Sequence, residues 1–360
     1  MCVKAPPTRG VCWSPGPDRL LSDPSEAAAI LRDAISAPTV AQRMTTRHDQ
    51  EPSVNDSAGM PRVVSLLPSA TEIVALLGAG GLLVGRSHEC DFPPDLADRP
   101  VLTAARTTFT SARDVDQQVR TSLAQGESLY HLDAERLQQL HPDIIITQDL
   151  CAVCSIDLNT VRKVAGQMQP APQVVSLNPL TLEGVLDDIL TVGRVIGRER
   201  QARDAIVQLR ERLDCAMGYV SPFEDPNPVL FLEWTDPLYC AGHWTAQMIG
   251  MAGGRTLGDR GASRRIEIDE AVALAPEHVV IAPCGLTLAQ AMHEAKQLMA
   301  EEWFRALPAV KNHRVAVVDG NQMFNRPGPR LVDALEWLVG FVQEREELMP
   351  KGFPWARLTG

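Results

Sequence analysis

Two stretches of this chain share one pattern, and the repeat is the strongest constraint on how the chain folds. Residues 135–154 (ERLQQLHPDIIITQDLCAVC) and 269–286 (DEAVALAPEHVVIAPCGL) each contain a short amphipathic helix, a proline, an apolar strand and a loop with cysteine. Uninterrupted apolar runs such as Ile144–Ile146 and Val279–Ile281 are typical of parallel strands that are buried on both faces. The sequence therefore predicts an α/β protein with two Rossmann-like lobes, each a parallel sheet flanked by helices.

The repeat also indicates where a ligand would bind. Open α/β sheets bind their ligands outside the carboxyl ends of the strands. The cysteine loops of both repeats leave the predicted strands at those ends. We therefore expect a binding site in a cleft between the two lobes.

The composition limits the classes of partner. A net charge of −11, without a basic stretch interleaved with aromatic residues, makes nucleic acid and anionic membranes poor partners. The apolar runs are too short to span a bilayer, so no membrane insertion is expected. Eight cysteines in 360 residues are too sparse for a disulfide scaffold. The sequence contains no G-x-S-x-G, H-E-x-x-H or dinucleotide-binding motif, so no motif supports a hydrolase, a zinc protease or a dehydrogenase.

The first 59 residues differ from the rest of the chain. They contain several proline-rich turns and an acidic, polar run, show little hydrophobic periodicity, and lack the basic start and apolar core of a secretory signal. We expect residues 1–59 to be a disordered extension, or the result of a start codon placed too early, with the real start at Met60. The chain as given is predicted to be cytoplasmic, and periplasmic if this N-terminus is misassigned.

Hydrophobic periodicity divides the remaining chain. Ser69–Glu72 has capping-box spacing and predicts the start of a helix. Asp98–Ser128 is predicted to be loosely ordered around one helix, Ala112–Leu123. A 3.6-residue rhythm over Thr181–Gly218 predicts one long, stiff helix between the lobes. The predicted divisions are an N-terminal lobe over 60–180, a linking helix over 181–219, a C-terminal lobe over 220–348 and a tail over 349–360.

Reactive side chains crowd the ends of two predicted strands in the N-terminal lobe. The loop after the second strand contains His88, Glu89 and Cys90, and the loop after the third contains Asp149 and a C-x-x-C motif. A nitrogen and sulfur ligand set suits zinc or another borderline-soft metal. The alternatives to a metal site are that the C-x-x-C cysteines form a buried, redox-inert pair, that the three thiols do not come together, or that the C-x-x-C motif has a thioredoxin-like redox role. The predicted metal set is His88, Cys90, Cys151 and Cys154.

Aromatic residues gather on loops of the C-terminal lobe. Trp234, His243 and Trp244 lie in EWTDPLYCAGHW, and Phe324 and Arg326 lie in GNQMFNRPGPR. Aromatic side chains on loops that leave strand ends predict a wall for a large flat ligand. Alternatively, the tryptophans cover the edge of the sheet.

These segments together resemble the periplasmic-binding fold of ABC importers for cobalamin, ferric siderophores and haem, and most of all the cobalamin-binding proteins. The matching landmarks are RVVSLLPSATEIVALLG, VGRSHECDFPPD, LHPDIIITQ, FLEWTDPLYCAGHW with AGG, and RPGPRLVDALE. The resemblance covers Met60 to about Val342. It implies two lobes that are joined by a long helix and that move little relative to each other when a ligand binds. It also implies that the ligand lies in the cleft between them and that the protein is not an enzyme.

The resemblance also implies roles for single residues. It places importer-docking acids at Glu135 and at Asp269 or Glu270, and it makes His88 or Cys90 a candidate axial ligand to cobalt. The implied ligand contacts are Ser69, Ser87, His88, Glu89, Cys90, Asp149, Trp234, His243, Trp244, Phe324 and Arg326.

The function predicted from the sequence is therefore cobalamin (corrinoid) binding, with an ABC importer membrane component as a partner. The alternatives are a protein that binds a siderophore, haem, or free zinc or iron, and an enzyme that uses a metal or a thiol pair in the cleft.

Overall fold

The computed structural model of the chain describes residue 39, residue 42 and residues 59–149, 156–259 and 261–359. The strands are β1 Val63–Ser65, β2 Leu83–Arg86, β3 Thr103–Ala105, β4 Tyr130–Leu132, β5 Ile144–Thr147, β6 Gln173–Ser176, β7 Asn227–Thr235, β8 Leu238–Cys240, β9 Gly254–Arg255, β10 Arg264–Arg265, β11 His278–Ile281, β12 Val315–Val318 and β13 Trp355–Arg357. The helices are α1 Pro68–Leu76, α2 Ala112–Ala124, α3 Ala134–Gln139, α4 Leu158–Ala165, α5 Leu182–Val195, α6 Glu199–Met217, α7 His243–Met251, α8 Ile268–Ala273, α9 Leu288–Ala300, α10 Glu302–Arg305, α11 Pro308–Lys311 and α12 Leu331–Val342.

The N-terminal lobe contains a four-stranded parallel sheet in the order β2-β1-β5-β6. Val63 of β1 pairs with Leu83 on one side and with Ile144 on the other. Both central strands are buried along their whole length, as the apolar run at 144–146 predicts. A separate antiparallel ribbon of β3 and β4 accompanies this sheet, and the sequence pattern had not indicated it.

The C-terminal lobe contains a seven-stranded mixed sheet, with its main path in the order β10-β8-β7-β11-β12-β13. Its core strands β7, β11 and β12 run parallel, whereas β8 pairs antiparallel with both β7 and β10, and the edge strand β13 pairs antiparallel with β12. Trp355–Arg357, which the sequence assigned to a tail, forms β13 and pairs with β12. The prediction of two α/β lobes is confirmed.

The predicted single helix over Thr181–Gly218 is wrong, because the structure divides it into α5 and α6. Gly197 lies between them with φ +71°, a left-handed conformation that glycine adopts without steric cost. A Cβ on Gly193 would lie 2.5 Å from the Cβ of Ala202, so the two helices approach closely at the turn. The spacing of apolar residues is helical on both sides of this turn, because each helix buries one apolar face. The sequence pattern therefore did not reveal the turn.

The predicted capping box at Ser69–Glu72 is also wrong. Helix α1 begins at Pro68, and its N-cap Leu67 makes no side-chain bond to the helix. Proline suits the first helical position because its fixed φ is helical and its missing N–H would lack a partner there. Ser69 and Glu72 thus lie inside the helix, where both are buried.

One apolar core extends through both lobes on one side of the molecule. It includes Ile73 of α1, Ile189 of α5, Phe231 of β7 and Leu335 of α12. On the other side each sheet has its own core, around Ile145 in the N-terminal lobe, and around β11 and α9 in the C-terminal lobe. The lobes are therefore joined along the side of the shared core.

His278 at the start of β11 is expected to make the protein sensitive to acid. Burial, with a smaller effect of Arg314, lowers its pKa from 6.5 to about 4. Between these two values the unfolded state binds a proton that the folded state does not, so stability falls as the pH drops from 6.5 to 4. The expected loss is up to about 3 kcal/mol.

The measurement is urea unfolding of His278→Phe and of the wild type from pH 7 to pH 4. The difference between the two proteins isolates this group, because Glu233 and Asp188, with pKa values raised to about 7, act in the opposite direction. His293→Phe changes an exposed histidine and is the matched control. Equal pH dependence in His278→Phe and the wild type would contradict the prediction.

Candidate functional site

The carboxyl ends of the two sheets face each other, because side chains of their loops meet. Helix α1 and the loop after β2 of the N-terminal lobe contact the segment between β12 and α12 of the C-terminal lobe. The start of α2 reaches the end of β7. This is the position that the strand pattern predicted for a binding cleft.

A network of charges joins the two lobes, and we call Glu72, Asp91, Arg326 and Arg330 the latch. Glu72, Arg326 and Arg330 are buried, whereas the Asp91 side chain is 42% exposed. Glu72 has no solvent exposure, and its Oε1 accepts from Arg330 at 2.6 Å and contacts Arg326 Nη1 at 3.5 Å. Arg326 also donates to Asp91 at 2.6 Å. The guanidinium of Arg330 lies 4.3 Å from the centre of the Phe92 ring. These contacts connect residues of both lobes around the fully buried carboxylate of Glu72.

Beside the latch, the backbone at Gly328 of the C-terminal lobe lies close to helix α1 of the N-terminal lobe. A Cβ on Gly328 would lie 3.2 Å from both Ser69 Cβ and Glu72 Oε2, so this position accepts little more than glycine. Ser69 is consequently buried against the other lobe. Two predicted ligand contacts, Ser69 and Arg326, are thus placed in the joint between the lobes.

Two residues of the predicted aromatic wall lie in the core. Phe324 is 1% exposed, and its ring packs edge-on against Phe231 at 5.0 Å and Trp337 at 6.0 Å. Trp244 is buried, and its Nε1 donates to the Phe324 carbonyl at 2.6 Å. Phe324 has φ +66°, a conformation that bulky residues rarely adopt, and the surrounding rings fix it there.

The loop after β2 presents His88 on the ribbon of β3 and β4. Its Nδ1 lies 2.7 Å from the Thr103 hydroxyl, which also bonds to the Ser87 hydroxyl at 2.9 Å. The ring centre lies 5.8 Å from that of Tyr130, and a quarter (25%) of the side chain is exposed. Burial, with a smaller effect of Arg86, lowers the pKa of His88. The imidazole is therefore neutral at pH 7. Nδ1 is held by Thr103, so Nε2 is the ring nitrogen that could coordinate a metal.

The two residues after His88 differ in their access to solvent. Burial raises the pKa of Glu89, which bonds to Tyr130 and is 33% exposed at its side chain. Cys90 is buried beside Thr71, and burial raises the pKa of its thiol to about 11. The thiolate is the form that binds metals, so this cysteine is held in the form that does not.

The C-terminal lobe contributes a second set of side chains at the end of β7. Glu233 accepts from the Ser263 hydroxyl and from the Gly242 amide, and burial raises its pKa to about 7. His243 stacks on the Trp244 ring with centres 5.6 Å apart. Burial also lowers the pKa of His243, so this second imidazole is neutral at pH 7.

The predicted metal set lies only partly within the described residues. Cys151 and Cys154 fall outside them, and Asp149, just before the gap, is exposed with its amide bonded to Asn178. Within the described ranges, no three His, Cys, Asp or Glu side chains are grouped so that they could hold a metal ion. A metal site that uses both cysteines stays a prediction.

The acids predicted to dock with an importer lie on equivalent helices of the two repeats. Glu135 on α3 and Asp269 on α8 are both exposed. Glu270 instead accepts from the Glu267 amide and pairs with Arg264 at 2.9 Å. Asp269 is therefore the better candidate of the two alternatives.

The described helices include none with both the length and the apolar composition needed to cross a bilayer.

Sequence reasoning missed three contributors to this region: Thr103, Tyr130 and Glu294. Thr103 and Tyr130 belong to the short ribbon that supports His88, and Glu294 bonds to the Ala112 amide from the other lobe. A glutamate on an apolar helix face offered the one available signal, since such residues are rarely buried without a partner.

The sequence and the fold both match known proteins. The vitamin B12-binding protein of Vibrio cholerae serotype O1 is 22% identical over 287 residues, which cover 78% of this chain and 89% of that protein. The structure of a periplasmic heme binding protein from Pseudomonas aeruginosa has a TM-score of 0.62 at 23% identity, covering 79% of this chain and 94% of the other. Periplasmic vitamin B12 binding protein BtuF of Vibrio cholerae has a TM-score of 0.58 at 20% identity, covering 80% and 98%. Residues 63–321 match the family described as periplasmic binding protein. The chain therefore belongs to the periplasmic binding protein family.

Proposed function

We propose that this protein binds a corrinoid in the cleft between its lobes and is not an enzyme. Substrate-binding proteins of its family bind small molecules and work with membrane components of ABC importers. The side chains that we propose for the ligand are those that the joint between the lobes leaves partly exposed: His88, Glu89, Tyr130, Trp234 and His243.

The observation that carries the proposal is the state of His88. Thr103 holds its ring through Nδ1, and burial keeps the ring neutral. A neutral imidazole with one nitrogen fixed by a hydrogen bond is a competent ligand to a transition metal through the other nitrogen. Cobalt in a corrin accepts such an axial ligand. Cys90 was the other axial candidate, and its raised pKa makes it the weaker one.

Haem is the second candidate, because the same imidazole would ligate iron. The Pseudomonas aeruginosa structure is of a heme binding protein, and its likeness to this fold supports testing haem beside the corrinoid. Siderophores use oxygen-rich chelation that needs no axial imidazole, so they do not explain the state of His88.

The test is to add hydroxocobalamin, or hemin in a parallel sample, to the purified full-length chain and to remove free ligand by desalting. The visible spectrum and the cobalt, iron and zinc content of the protein are then recorded. We expect retained cobalt with a corrin spectrum at one equivalent. Retention of hemin alone would assign the site to haem, and stoichiometric zinc without either ring would overturn the proposal.

Replacing His88 with alanine tests its role as the axial ligand. We expect His88→Ala to weaken hydroxocobalamin binding by at least about tenfold, since a metal–ligand bond and its fixed geometry are lost. The visible spectrum of the bound corrinoid should also shift relative to the wild type. His293→Ala, at an exposed histidine, is the control and should bind as the wild type does. An identical spectrum in His88→Ala would exclude axial ligation by this residue.

The partner follows from the same proposal. We propose Glu135 and Asp269 as the acids that meet basic residues of an importer membrane component. The compartment stays a prediction: cytoplasmic for the chain as given, and periplasmic if its N-terminus is misassigned. Fractionation of cells that express the full chain will check it.

A further inference from the structure

We propose that residues 106–129, which we call the strap, close the cleft, and that release of the strap from the C-terminal lobe is the step that admits ligand. This inference rests on the proposed function, because it concerns access to the same cleft.

The strap runs from the N-terminal lobe to the C-terminal lobe and returns to the N-terminal lobe. It leaves β3, whose Thr103 supports His88, and it returns to β4, which begins at Tyr130 beside His88. Its far end, at Ala112 and Arg113, contacts the C-terminal lobe. The 13-residue helix α2, about 20 Å long, makes the return. The strap thus connects the two sets of residues assigned to the ligand.

Three contacts hold the tip of the strap. Glu294 of α9 accepts from the Ala112 amide at 3.2 Å, and its other oxygen lies 3.3 Å from the Thr235 hydroxyl. The Trp234 indole donates to the Ala112 carbonyl at 3.2 Å. Arg113 pairs with Asp236 at 2.7 Å. All three are polar contacts to the end of β7 or to the helix beside it.

The strap is held more weakly than the latch. Ala112 is the one buried side chain of α2, so little apolar surface attaches the helix. Arg113 is 79% exposed at its side chain, and an ion pair in water contributes little. The latch instead holds charges of Glu72, Arg326 and Arg330 that are almost completely buried and cannot separate without losing their partners.

The strap also lies on the side where the lobes have separate cores. Its root is the ribbon packed on the core around Ile145, and Glu294 belongs to the helix that covers the separate core of the C-terminal lobe. The shared core and the latch fix the opposite side. Opening is therefore expected on the strap side, and it would separate the Trp234 indole from the Ala112 carbonyl while its bond to the Asp236 carbonyl at 3.1 Å remains.

The test combines hydrogen exchange with binding kinetics on the full chain. In Glu294→Ala we expect amides of 112–124 to exchange at least tenfold faster than in the wild type, with α1 and α12 unchanged. We expect the association rate of hydroxocobalamin, or of hemin if that ligand is retained, to rise at least threefold. Arg113→Ala is a second, exposed variant that should act in the same direction if Glu294→Ala folds poorly. Arg120→Ala removes an ion pair with Asp116 within the strap and is the matched control.

The outcomes separate the two proposals. Unchanged exchange of 112–124 in both tip variants, or equal acceleration in α1 and α12, would overturn the strap as a separate opening element. Faster exchange with an unchanged association rate would overturn its role in admitting ligand. A wild type that retains neither hydroxocobalamin nor hemin overturns the proposed function, and with it the gating.

Discussion

We expect Glu72→Ala to lower the free energy of unfolding by about 3–5 kcal/mol. The substitution removes the carboxylate that lies between Arg326 and Arg330, and both guanidinium groups stay buried. Arg326 keeps its ion pair with Asp91, whereas Arg330 loses the carboxylate that it donates to. A buried charge that loses its partner cannot recover the hydration that it lost on folding, which is why breaking such pairs costs this much. Urea unfolding followed by circular dichroism measures the change.

The chain offers a matched control for this substitution. Glu199 also contacts two arginines, Arg194 at 3.3 Å and Arg203 at 2.6 Å, but its side chain is 44% exposed. Glu199→Ala should change stability far less than Glu72→Ala does, because solvent screens exposed ion pairs. Glu72→Gln keeps the volume and removes the charge, so a charge effect predicts a loss close to that of Glu72→Ala. Equal stability of Glu72→Ala and Glu199→Ala would contradict the buried latch.

The fold could be predicted from the sequence because its main signals are local. The apolar runs of β5 and β11, each preceded by a helix and a proline, indicate parallel buried strands without knowledge of any neighbour. The edge strand β13 could not be found in this way, since its three residues include no fully buried one and show no alternation of buried and exposed positions. The turn at Gly197 could not be predicted either, because the apolar residues before and after it both follow helical spacing.

The candidate site could be predicted only in part, because its contacts join distant residues. The sequence indicated the loops after β2, β7 and β12, which the structure brings to the facing ends of the two sheets. It did not indicate that Arg326 would pair with Asp91, which is 235 positions away. Whether a loop arginine meets a ligand or another loop depends on strand order and on the distance between lobes, and neither is encoded locally.

The roles of the aromatic residues were the hardest to separate, because a ligand wall and a core use the same side chains. Tryptophan and phenylalanine on loops that leave strand ends suit both roles. The structure distinguishes them by burial: Trp234 keeps part of its surface exposed, whereas Phe324 is enclosed by Phe231, Trp337 and Phe353.

Phe324→Ala tests this distinction directly. If Phe324 belongs to the core, the substitution leaves a cavity among the surrounding rings and lowers the free energy of unfolding by about 3–5 kcal/mol. Phe223→Ala, at a side chain that is 95% exposed, is the matched control and should change stability by at most about 0.5 kcal/mol. Urea unfolding at pH 7 compares both variants with the wild type. A ligand wall predicts the reverse pattern, in which Phe324→Ala keeps its stability and loses affinity for hydroxocobalamin. That outcome would mean that the ring leaves the core when the cleft opens, and it would return Phe324 to the binding site.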